Sequence, residues 1–65
     1  MTDENVEAYK RGLRYKVEIF AADHQRLPPA FAGTRLKANE IRQSCKNNQL
    51  HASVFKITAT GALER

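Results

Sequence analysis

The sequence predicts a small α+β domain: a short antiparallel or mixed sheet packed by one main helix, with a short helix at the N-terminus. Three observations carry this. Residues 13–21 alternate apolar and polar side chains with the period of a half-buried strand. Residues 35–48 repeat their apolar side chains at helical spacing. Residues 50–58 return to the β-branched and aromatic types of a strand. The 65 residues make one domain, 1–65, and a chain so short buries only about 60% of the surface it exposes when unfolded. A single cysteine, Cys45, allows no internal disulfide, so stability must come from a packed core or from a partner.

Residues 1–12 form the N-terminal helix. Thr2 or Asp3 can cap it, Glu4 and Glu7 sit at its positive end, and Lys10 and Arg11 sit at its negative end. Gly12 suits the left-handed position after a helix. The competing reading makes 6–9 a strand that turns at Lys10-Arg11-Gly12. In 13–21, Leu13, Tyr15, Val17, Ile19 and Ala21 share one face, and Arg14, Lys16, Glu18 and Phe20 share the other. Asp23-His24-Gln25 breaks the pattern. Residues 26–34 read as a Pro-rich loop, since paired prolines favour extended polyproline geometry and Gly33 permits a turn.

The second helix starts after a cap at Thr34 or at Asn39. Ala38, Ile41 and Cys45 form its core stripe, while Arg35, Asn39, Arg42 and Lys46 form a separate one. Asn47 and Asn48 end it with a left-handed cap. In 50–58, Ala52 and Val54 point one way, and Phe55 and Ile57 the other. Either both faces of that strand are covered, or a bulge near 53–55 shifts the phase. Thr60-Gly61 makes a turn, and Ala62-Leu63 adds a short edge strand.

Enzymatic chemistry finds no residues to carry it. Cys45, His24 and His51 lack the paired spacings of a zinc site, and Cys45 lies on the apolar stripe as a small hydrophobe. No phosphate-cradling loop or nucleophile motif occurs, and Asp23-His24 has no nucleophile to activate. The expectation is a protein that is not an enzyme and needs no cofactor or metal. No apolar run reaches membrane-spanning length, and an acidic N-terminus stands where a secretory signal would be basic and then apolar. The chain reads as a complete small product of the cytoplasm, where a lone cysteine stays reduced.

Charge is the functional signal. All eleven Lys and Arg fall in 10–65 against Glu18, Asp23, Glu40 and Glu64, a balance of +7 for that stretch. Such an excess attracts phosphates or acidic protein surfaces. Arg14 and Lys16 on the strand, and Arg35, Arg42 and Lys46 on the helix, are the candidate contacts, with a solvated surface as the plainer alternative. Phe31 is a further candidate: it either folds back as a lid on the sheet or protrudes to anchor a protein partner.

At residues 33–63, Gly33-Thr34, a short helix with Leu36, Ala38 and Ile41, then Val54-Phe55-Lys56-Ile57 and Gly61, follow in an order that resembles small single-domain proteins of phages and plasmids, among them a type I-F anti-CRISPR family. The likeness covers about half the chain and departs from that family at the Pro-Pro loop, at Lys46-Asn47-Asn48 and in the small C-terminal strand region. It implies a stoichiometric binder of a host protein or nucleoprotein complex and assigns no site residue. The expected function is therefore that of a small basic mobile-element modulator or inhibitor of a host nucleic-acid-handling complex. Direct DNA or RNA binding is the first alternative, and a structural or self-associating subunit, such as a homodimer, is the second.

Overall fold

The computed structural model describes residues 4–64. Its elements are α1 (Glu4–Lys10), β1 (Tyr15–Phe20), β2 (Arg26–Ala32), α2 (Arg35–Asn47), β3 (His51–Ile57) and β4 (Leu63–Glu64). The strands form one antiparallel sheet in the order β2-β1-β3-β4. This is an α+β fold with the main helix expected over 35–48. α2 carries the chain from β2, on one side of β1, to β3 on the other, and packs across the sheet on the way.

The core lies between α2 and the sheet. Val17 and Ala38 are 0% exposed and Ala32 2%, with Tyr15, Ile19, Ala30, Ile41, Ala52 and Val54 packed around them. The stripe of Ala38, Ile41 and Cys45 thus faces the strand residues Tyr15, Val17 and Ile19, and Cys45 is buried. Thr34 is the cap that starts α2: its Oγ1 accepts from the Lys37 N–H at 3.2 Å. Asn39 lies inside the helix. At the other end, Leu50 N–H donates to the Cys45 carbonyl and Gln49 N–H to the Lys46 carbonyl. The left-handed residue of this cap is Gln49, at φ 62°, not Asn47 or Asn48.

β3 resolves its own ambiguous pattern. Its register with β1 is unbroken from His51 to Lys56, so no bulge intervenes. Ala52 and Val54 face α2, whereas Phe55 and Ile57 face the other side. That second side is shielded at one end by α1. Glu4 approaches Lys16 at 3.7 Å, and Asn5 Nδ2 donates to the Gly61 carbonyl at 3.0 Å. Ala8 and Ile57 are buried there, at 5% and 1% exposure.

α1 ends as its sequence predicts, with Gly12 at φ 90° and bonds from Gly12 N–H to Tyr9 and from Leu13 N–H to Ala8. The helix reading of 6–9 holds over the strand reading, while the caps proposed at Thr2 and Asp3 lie outside the described residues.

The segment 26–34 is the correction. Residues 26–32 are not a loop but the edge strand β2. Pairing runs Tyr15↔Ala32, Lys16↔Phe31 and Val17↔Ala30, then shifts to Ile19↔Leu27, so Pro28 and Pro29 together stand opposite Glu18. Proline cannot donate to a ladder and is tolerated in sheets at edges and bulges. Both conditions are met here, which is why a Pro-Pro pair does not exclude a strand. The β1–β2 turn closes with His24 N–H on the Ala21 carbonyl and with His24 at φ 68°, the left-handed residue of a short hairpin loop.

Candidate binding groove

The basic residues that look alike in sequence part company in the fold. Arg14 lies just before β1, not on the strand face. Its guanidinium stacks 3.8 Å from the Tyr9 ring centre and donates to the Tyr9 and Leu13 carbonyls at 2.7 and 3.3 Å. There it ties the turn after α1 to the start of β1, sharing the Tyr9 carbonyl with the Gly12 N–H. Lys16 does lie on the face opposite Val17, but it is only 7% exposed. Its ammonium sits between Glu4 and the Phe31 ring, 3.7 and 5.9 Å away. Neither side chain is an exposed contact for a partner.

Phe31 is neither lid nor hook. It is a β2 residue paired with Lys16, and Lys16 pairs on its other side with Phe55. Phe20 shares that face, between Arg26 and His51. All three phenylalanines of the chain therefore lie on the sheet face away from α2. Arg26 reaches Glu18 there at 3.2 Å. Only Phe20 is visible from the first strand's alternation. Phe31 is hidden in sequence by the prolines before it, which signal a loop, and Phe55 needs the register of β3.

The helix stripe behaves differently. Arg35, Arg42 and Lys46 are all exposed on α2. Arg35 lies near the N-terminal end, 6.0 Å from the Tyr15 ring centre, and about 16 Å along the axis from Lys46. Arg42 and Lys46, one turn apart, line an open groove of about 530 Å³ with Gln43, Gln49, Leu50, His51 and Ala52. The groove forms because Gln49 turns the chain sharply out of α2, and Leu50 starts it back along the sheet. Among the described residues no carboxylate lines it. Among the described residues the ion pairs are Lys16–Glu4, Arg26–Glu18 and Lys37–Glu40, so Arg42 and Lys46 take part in none.

Two cations held one turn apart over a concave, partly apolar floor can bind carboxylate or phosphate groups by charge-assisted hydrogen bonds, Arg42 with a planar fork and Lys46 as a point charge. Among the described residues no group of three or more His, Cys, Asp or Glu could hold a metal ion, and no helix is long and apolar enough to cross a membrane. The chain matches no protein-family model, no curated protein and no solved structure, so nothing among known proteins bears on the likeness to the anti-CRISPR family.

Proposed function

We propose that this chain is a small non-catalytic binding protein that docks through its α2 groove on an acidic surface of a nucleic-acid-handling complex, in the role of a mobile-element modulator or inhibitor. The observation that carries the proposal is the pair Arg42 and Lys46, exposed, without a carboxylate partner among the described residues, and set side by side in a concavity. Two cations exposed together without neutralising neighbours contribute little to stability. They raise the local potential and steer an oppositely charged surface into register.

The test is affinity purification from the native host with the parent chain and with Arg42→Glu/Lys46→Glu as bait, read by mass spectrometry. The expected result is a nucleic-acid-handling complex retained by the parent, resistant to nuclease, and lost with the variant. Recovery that is abolished by nuclease would favour direct nucleic-acid binding instead.

That second reading has its own support in the aromatic sheet face. Phe20, Phe31 and Phe55 lie there with Arg26 and His51 nearby, and bases stack on such rings. It predicts tight, steeply salt-dependent binding of oligothymidylate or oligouridylate by the isolated chain, weakened by Phe20→Ala.

A further inference from the structure

The two edges of the sheet are treated differently. β2 carries the Pro28-Pro29 bulge along its outer side, a device that keeps an edge from pairing with another chain. β3 has no such device over His51-Ala52-Ser53-Val54, which holds no proline, no bulge and no Lys, Arg, Asp or Glu. β1 covers one side of β3 throughout, whereas among the described residues β4 covers the other side at Lys56 and Ile57. Among the described residues, no strand lies against the outer side of His51–Val54.

The phase of the backbone shows which groups this leaves open. Ile57 N–H donates to the Arg14 carbonyl, toward β1, at 2.8 Å. Thr58 N–H donates to Ala62, toward β4, at 2.9 Å. Alternation along the strand then turns the N–H and C=O of Ser53 toward β1, and those of Ala52 and Val54 outward. The outward groups lie beside the groove that Arg42 and Lys46 line, and Ala52 is itself part of the groove wall.

We propose that this edge takes an extended acidic segment of a partner protein as an added strand. The segment would bond Ala52 and Val54 through its backbone and send alternate Asp or Glu side chains to Arg42 and Lys46. The inference rests on the proposed function, since it names how the acidic surface is held. Charge selects the occupant. A second copy pairing antiparallel at this edge would bring its own α2 to the same face and set Arg42 and Lys46 against their equals. A nucleic acid would satisfy the cations but has no peptide ladder for the Ala52 and Val54 groups. Strand addition uses both features, backbone bonds for affinity and alternate side chains for selectivity.

The test begins with selection of a random nine-residue phage-displayed library on the full chain. Enrichment of proline-free sequences with Asp or Glu at alternate positions is expected. The best peptide is then synthesised in two forms, one of them N-methylated at alternate residues to remove N–H donors while keeping every charge. The unmethylated form should protect the Ala52 and Val54 amides from hydrogen exchange. N-methylation in the pairing phase, and Arg42→Glu/Lys46→Glu, should each weaken binding by about tenfold or more.

Three results would overturn the inference. Equal affinity of the methylated and unmethylated forms, with no protection at Ala52 and Val54, would leave an acidic ligand in the groove but no added strand, so the proposed function would survive. Selection that yields no acidic consensus, with oligothymidylate binding tightly, would remove both. Protection of Ala52 and Val54 that rises with the chain's own concentration would assign the edge to a second copy.

Discussion

Arg14 and Lys16 carry the same charge as Arg42 and Lys46, yet the two pairs do opposite work. Around α1 the cations are part of the fold: Arg14 lies on Tyr9 and on two backbone carbonyls, and Lys16 is nearly enclosed between Glu4 and Phe31. In the groove of α2 the cations are exposed, and among the described residues no carboxylate lines the groove beside them. A basic side chain points to a partner only after the fold has taken what it needs. A sequence count of charge does not make that distinction.

Lys16 is where the largest effect is expected. Lys16→Glu would place a carboxylate at a 7%-exposed site beside Glu4. A buried charge without its partner costs about 3–5 kcal/mol, most of the stability of so small a domain. Urea denaturation should show a largely unfolded protein. Unchanged stability would mean that Lys16 reaches solvent and belongs with the groove cations. Next in size is Arg14→Ala, which removes a cation–π contact and two carbonyl hydrogen bonds and should cost about 1–3 kcal/mol. Its melting temperature should fall while binding through the groove persists.

These contrasts show why part of the molecule is legible in sequence and part is not. β1 and α2 announce themselves because each sets its apolar side chains at a regular period on the face that meets the other, and periodicity reports that pattern directly. Gly12 and Thr34 are legible because their caps depend on local chemistry. β2 is not, because its prolines signal the absence of a strand everywhere except at an edge bulge. Gln49 in the left-handed position is not legible either, since Asn48 beside it is the better candidate by type. Of the site, Arg42 and Lys46 follow from helical spacing alone. The fates of Arg14, Lys16 and Phe31 depend on α1 docking and on strand register, which no local pattern encodes. The groove floor arises from the turn at Gln49 and the path of Leu50 back along the sheet, and the uncovered side of His51–Val54 from the pairing of β4 with Lys56 and Ile57, which are properties of the whole sheet.

Smaller effects are expected within the groove. Gln49→Gly relieves a left-handed residue without touching a charge, and should stabilise the chain by about 0.5–1 kcal/mol. Thermal unfolding checks it, and a loss of stability would mean that the Gln49 side chain braces the groove wall. The smallest change in stability belongs to Arg42→Glu/Lys46→Glu, where exposed charges contribute only about 0–1 kcal/mol each.

That double variant also supplies the most direct test of the central claim, that the α2 groove is where this protein meets its partner. Melting temperature should be measured beside affinity for the host complex retained by the parent, at one fixed salt concentration. The account predicts a melting temperature close to the parent's together with a loss of affinity of about tenfold or more. A variant that melts like the parent and binds the complex with full affinity would contradict it, and would make Arg42 and Lys46 a solvated surface and nothing more.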